Sequence, residues 1–84
     1  MNPVECAILV FFRRYRIMPA EMLFFNPTDC KLATRPFNAA MQSLMRQGLV
    51  VKERPNLAYS LTPAGYDASI SAEQGAELTG RTRV

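Results

Sequence analysis

The segment LMRQGLVVKERPNLAYSLTPAG, at positions 44–65, constrains the fold of this chain more than any other part of the sequence. Its first half predicts the end of a helix. Gly48 follows the apolar pair Leu44 and Met45, at the point where a left-handed helix end favours glycine. The apolar residues at 49–51 then predict the start of a β-strand. A helix is therefore expected to lead directly into a strand.

The second half of the segment predicts a hairpin and a new helix. Arg54-Pro55-Asn56 supplies turn residues, and residues 58–61 form the return strand. Thr62 followed by Pro63 is typical of a helix start, with a hydroxyl at the N-cap and proline in the first turn. This order resembles the recognition helix, wing and following helix of winged helix-turn-helix proteins of the MarR/PadR type. The resemblance implies a mainly α fold with a small two-stranded β-wing.

The N-terminal segment predicts a buried first helix. Asn2, Pro3 and Glu5 are typical of a helix start, and apolar residues then surround the helix almost completely up to Arg13. Such a helix is expected to be buried on two sides. Either the rest of the chain covers both sides, or a second subunit covers one of them.

Two further helices are expected before the hairpin. A short second helix at about 19–25 would carry the apolar residues Met22 to Phe25 inward, and Asn26-Pro27 would end it. The segment 26–33 is either a long connection or a short helical turn. Thr34 is the candidate N-cap of a third helix that reaches Gln47. The predicted core consists of Phe11, Phe12, Leu23, Phe37, Met41, Leu44, Leu49 and Leu61.

Length and composition favour one small cytoplasmic domain. The chain has 84 residues, of which 49% are hydrophobic, and we expect a single domain at 1–80 followed by a frayed tail at 81–84. The last helix would run from Pro63 to about Ile70, or continue to Leu78. No apolar run approaches the roughly 20 residues that span a bilayer. Two reduced cysteines, Cys6 and Cys30, are expected, and the absence of histidine argues against an enzyme, a metal site or a cofactor.

Positive charge is concentrated in the part of the chain that would hold the helix-turn-helix and the wing. Between positions 13 and 54, eight basic residues stand against three acidic ones, whereas the net charge of the whole chain is +3. Phosphates would be attracted to this basic part. A solvated cationic face of a small protein is the simpler alternative.

The resemblance places the third helix in the major groove of DNA. Its polar face carries Arg35, Asn38, Gln42 and Arg46. The two amides are candidates for reading base edges, Arg35 for reading guanine or binding phosphate, and Arg46 for binding phosphate. Lys52 and Arg54 alternate with Val51 and Glu53 along the first wing strand, so both basic side chains are expected to point to the same side. Asn56 lies at the wing tip. The full set of candidate DNA-binding residues is Arg13, Arg14, Arg16, Arg35, Asn38, Gln42, Arg46, Lys52, Arg54 and Asn56.

Two functions are compatible with these patterns. The first is a small transcriptional regulator that binds double-stranded DNA, as a homodimer joined by its terminal helices. The second is a winged-helix protein-interaction module, such as an accessory or inhibitory protein of a phage or mobile element, that docks an acidic protein partner with the same face.

Overall fold

The fold is mainly α-helical with a small antiparallel β-sheet. A computed structural model describes the backbone of residues 2–54 and 58–82, and the side chains of residues 2–53 and 58–75. Within these ranges the order of elements is α1 (Pro3–Arg14), β1 (Met22–Phe24), a 3₁₀ turn (Pro27–Cys30), α2 (Thr34–Arg46), β2 (Val50–Arg54), β3 (Ala58–Leu61) and α3 (Pro63–Thr82). The three strands lie in the order β1-β3-β2.

Helix α1 begins as the sequence predicted and ends on an unusual residue. The Asn2 side chain accepts from the Glu5 amide at 2.8 Å, and the Glu5 carboxylate accepts from the Asn2 amide at 2.9 Å. At the other end, Arg16 has a φ of 53°, and the amides of Arg16 and Ile17 donate to the carbonyls of Arg13 and Phe12. These are the bonds of a Schellman motif, with arginine in place of the usual glycine.

The predicted second helix at 19–25 is wrong, because this segment forms strand β1. Met22, Leu23 and Phe24 pair with Ser60, Tyr59 and Ala58 of β3, so the predicted two-stranded sheet has a third strand. The four consecutive apolar residues at 22–25 show neither the spacing of an amphipathic helix nor the alternation of a half-buried strand. Only pairing with β3 decides whether this run is a helix or a strand. Because successive side chains of a strand point to opposite faces of the sheet, Met22 and Phe24 are exposed, whereas Leu23 and Phe25 face the core.

The segment 26–33, left open by the sequence, contains the 3₁₀ turn. The Asn26 side chain accepts from the Asp29 amide at 3.0 Å, and the Asp29 carboxylate accepts from the Asn26 amide at 2.9 Å. Lys31 ends the turn with a φ of 57°. Residues 31–33 then lead directly into α2.

Helix α2 begins one residue earlier than expected. Ala33 occupies the N-cap without a side-chain hydrogen bond, and Thr34 is already helical, so the prediction of Thr34 as N-cap is wrong. The C-terminal end is confirmed: Gly48 has a φ of 74°, and the amides of Gly48 and Leu49 donate to the carbonyls of Met45 and Leu44. Glycine therefore completes the Schellman motif that turns the chain into β2.

Thr62 joins the hairpin β2–β3 to helix α3. Its hydroxyl accepts from the Gly65 amide at 3.0 Å and donates to the Gly48 carbonyl at 2.6 Å. The predicted N-cap is thus confirmed, and the same side chain also holds the end of α2. Helix α3 runs to Thr82, so both predicted ends of this helix, Ile70 and Leu78, are too early. It also extends into the predicted tail at 81–84, of which residues 83–84 lie outside the described residues.

The core is built around aromatic side chains. Phe25 contacts the rings of Phe11, Phe12, Phe37 and Tyr59, with ring centroids 4.9 to 5.9 Å apart. Of the eight predicted core residues, six are buried, whereas Leu23 and Leu49 are partly buried and pack against the others. The large apolar side chains of α1 are covered by the same chain, which favours the first of the two alternatives considered for this helix.

A buried carboxylate joins the start of α1 to the end of α2. Glu5 is only 4% exposed, and its Oε2 accepts from Gln47 Nε2 at 3.3 Å. Hydrogen bonds from the Ser43 side chain and the Asn2 amide hold the pKa of Glu5 below its ordinary value of 4.5. Folding therefore favours the charged form of this side chain.

Replacing Glu5 by glutamine is expected to make stability less dependent on pH. Because folding lowers the pKa of Glu5, its stabilising contribution is complete above the ordinary pKa and is lost as pH falls through the lower, folded-state value. The wild-type protein should have the larger free energy of unfolding at about pH 7, and its advantage over the Glu5→Gln variant should become smaller towards about pH 3. Thermal unfolding followed by circular dichroism measures this. A difference in unfolding temperature between the two proteins that stays constant across the pH range would contradict this prediction.

Candidate nucleic-acid interface

The polar face of α2 is open to solvent. Arg35, Asn38, Gln42 and Arg46 are all exposed, while Phe37, Ala40, Met41 and Leu44 on the other side are buried. This division follows from the helical spacing of three and four residues. The helix therefore presents two amides between two guanidinium groups, in the arrangement that the sequence predicted.

A cleft between α2 and the hairpin brings together three of the predicted site residues. This α2–β2 cleft, of about 270 Å³, is lined by Asn38, Met41, Gln42, Met45, Lys52 and Tyr59. Lys52 lies beside Tyr59 in the sheet, because the two residues are partners between β2 and β3. Burial raises the pKa of the Tyr59 phenol, which therefore stays neutral at physiological pH.

The β2 strand does not alternate regularly. Lys52 pairs with Tyr59 and Arg54 pairs with Ala58, so a bulge falls at Glu53. The sequence argument that Lys52 and Arg54 point to the same side assumed regular alternation, and the bulge removes that assumption. The side chain of Arg54 and the predicted wing tip at Asn56 lie outside the described residues.

The three arginines at the end of α1 have different surroundings. Arg13 Nε lies 3.2 Å from Glu73 Oε1, and its guanidinium carbon lies 5.8 Å from the centre of the Tyr66 ring. Arg13 therefore joins α1 to α3. Arg14 and Arg16 are exposed, and Arg16 also provides the left-handed residue that ends α1.

Lys31 is a basic residue that the sequence argument did not include in the site. It lines an α1–3₁₀ cleft of about 190 Å³ together with Ala7, Val10, Phe11, Arg14, Asp29 and Cys30. Burial, and secondarily the Asp29 carboxylate, raise the pKa of Cys30 to about 11, so its thiol is protonated and unreactive. No local pattern marked Lys31, because only the fold brings the 3₁₀ turn against α1.

An apolar groove lies between the two terminal helices. Cys6 of α1 and Ala68, Ser71 and Ala72 of α3 line this α1–α3 groove, whose volume is about 400 Å³. Both cysteines of the chain are free, as predicted. The groove contains parts of the two segments that the sequence assigned to a dimer interface.

Comparison of the chain with protein-family models, with curated proteins and with solved structures gave no match. Among the described residues, no helix has the length and apolar character that a bilayer span requires. In the same part of the chain, no three histidine, cysteine or acidic side chains lie close enough together to hold a metal ion.

Proposed function

We propose that this protein is a winged-helix transcriptional regulator that binds double-stranded DNA in the cytoplasm. The α2–β2 cleft carries the proposal, because it places Asn38 and Gln42 of a solvent-exposed helix face beside Lys52 of the hairpin. The amides on α2 can hydrogen-bond to base edges, and the lysine on the adjoining strand β2 can bind phosphates. The order of helix, hairpin and following helix supports the resemblance to winged helix-turn-helix proteins.

The 3₁₀ turn and α2 together form a shortened helix-turn-helix. Three residues, 31–33, separate the two elements, which is the spacing of this motif. In such a motif the second helix enters the major groove and the preceding element crosses the backbone. Lys31 and Arg14 share the α1–3₁₀ cleft, and in this proposal both contact that backbone. Neither should distinguish one base sequence from another.

Residues of the interface have separable roles in this proposal. Asn38 and Gln42, near the middle of α2, contact base edges, and each good bidentate pair discriminates by about 1–3 kcal/mol. Arg46 and Lys52 contact phosphates, which are the same in every sequence. Arg35 lies at the helix start and contacts guanine or a phosphate. Arg13 acts through its contacts with α3, whereas Arg16 adds to the cationic surface.

Binding to duplex DNA over a series of salt concentrations tests the proposal. The logarithm of the affinity should fall linearly with the logarithm of salt concentration, and Arg46→Ala or Lys52→Ala should lower the slope by about one. Gln42→Ala and Asn38→Ala should instead change the preference among sequences. All four side chains are exposed, so the variants should unfold at the wild-type temperature. Binding that does not depend on salt would contradict the proposal.

We propose further that the regulator is a homodimer joined through the α1–α3 groove. The groove is apolar and combines residues of both terminal helices, and on α1 it involves Cys6 rather than the large apolar side chains that the same chain already covers. A two-fold dimer that reads two half-sites in successive major grooves needs its two copies of α2 roughly 34–36 Å apart. Analytical ultracentrifugation at micromolar concentration should give twice the chain mass of 9.4 kDa. A single species at the chain mass would exclude the dimer.

A protein-interaction module is the second candidate function. The observation in its favour is an apolar outer face of the sheet: Met22 and Phe24 of β1 and Val51 of β2 are all exposed, and Phe24 keeps 63% of its surface. Exposed apolar surface of this kind is typical of protein contacts. In this alternative an acidic protein partner docks on the polar face of α2 and extends onto the outer face of the sheet. The Gln42, Asn38, Arg46 and Lys52 variants should then bind DNA as wild type does but lose that partner, and Phe24→Ala should also weaken the protein contact.

A further inference from the structure

We infer that the α2–β2 cleft recognises A·T base pairs through their major-groove edges. This inference rests on the proposed DNA-binding function and adds a base-pair preference to it. The described residues that line the cleft combine two amides with two thioethers, one phenol and one lysine, and none of them is an arginine. Its chemistry therefore differs from that of the arginine-bearing ends of α2.

The amides match adenine. Adenine presents an acceptor at N7 and a donor at N6 in the major groove, and a carboxamide can pair with both at once. Asn38 and Gln42 are exposed and one helical turn apart, so they can contact successive base pairs from the same helix face. Guanine offers two acceptors at this edge and is recognised better by arginine or lysine.

The half-buried thioether of Met45 matches thymine. Met45 is half-buried beside the two amides, and Met41 forms the buried wall of the cleft. The thymine 5-methyl group projects into the major groove beside the adenine edge, where it favours apolar contacts. A polarisable, flexible methionine can follow the position of this methyl group. A cytosine at the same place has no 5-methyl group, so this apolar contact is lost.

The cation of the cleft lies on the other wall. Lys52 belongs to β2 and not to α2, and its sheet partner Tyr59 is buried and neutral. A lysine beside the helix is positioned for the phosphates that border the groove, where it adds affinity without sequence preference. Lys52→Ala should therefore weaken binding to all duplexes by the same factor.

Three duplexes of equal length separate major-groove recognition from groove shape. One contains alternating A·T pairs, the second inosine·cytosine pairs and the third G·C pairs. Inosine·cytosine resembles G·C in the major groove and A·T in the minor groove, because inosine lacks only the guanine amino group. We expect the A·T duplex to bind about tenfold more tightly than either of the others. Inosine·cytosine binding as tightly as A·T, or tighter binding to G·C, would overturn the inference.

Substitutions and a modified base test the individual contacts. Gln42→Ala should reduce the A·T preference several-fold, while Arg46→Ala, the matched control on the same helix, should weaken all three duplexes alike. Replacing thymine by uracil should weaken wild-type binding by removing the methyl group. Equal, salt-dependent binding to all three duplexes would refute the A·T inference alone. If none of the three duplexes shows salt-dependent binding, the DNA-binding function is refuted, and this inference with it.

Discussion

Gly65→Ala is expected to destabilise the fold by about 4–5 kcal/mol, which is comparable to the whole stability of a small domain. A β-carbon at this position would overlap the carbonyl oxygen of Leu49 and lie 2.7 Å from its carbonyl carbon. The Leu49 carbonyl cannot move away freely, because it accepts from the Thr62 amide at 3.1 Å. The first turn of α3 and the start of β2 would have to separate.

Gly75→Ala is the matched control for this prediction. It makes the same substitution in the same helix, but among the described residues a β-carbon there meets no atom of another part of the chain within 4 Å. Alanine should therefore stabilise α3 by about 0.5–1 kcal/mol, through the ordinary helix propensity of alanine over glycine. Urea unfolding of the two variants measures both effects. Similar stability of the two variants would mean that α3 does not pack closely on Leu49.

Phe25→Ala is expected to cost about 3–5 kcal/mol in the free energy of unfolding. Phe25 is 3% exposed and contacts four other aromatic rings from α1, α2 and β3. Its removal would leave a cavity at the junction of these elements, which can close only if the elements shift. Thermal and urea unfolding should both show the loss.

Phe24→Ala provides the control from the neighbouring position. The Phe24 ring is mostly exposed on the outer face of the sheet, so its loss should cost less than about 1 kcal/mol. In a helix over 19–25, as the sequence alone suggested, the neighbouring side chains of Phe24 and Phe25 would point only about 100° apart. In a strand they point to opposite faces of the sheet. Equal costs for Phe24→Ala and Phe25→Ala would contradict the strand.

Local signals in the sequence predicted three of the helix boundaries correctly. The start of α1 depends on Asn2 and Glu5, which bond to each other's amides across three residues. The end of α2 depends on Gly48, and the start of α3 on Thr62 and Pro63. Caps of this kind are short-range interactions, so a sequence pattern contains all the information they need. The exposed face of α2 was equally predictable, because helical spacing alone divides its polar and apolar residues.

Contacts between distant residues decided the rest of the structure. The apolar run at 22–25 became a strand only because β3 offered it a partner, and no pattern within the run could show this. The left-handed Arg16 and Lys31 had no local signal, since glycine is the usual residue there. The α2–β2 cleft likewise depends on where the hairpin lies against α2. The sequence by itself determined where α1 and α3 begin and where α2 ends, whereas only tertiary packing determined the third strand and which side chains share a cleft.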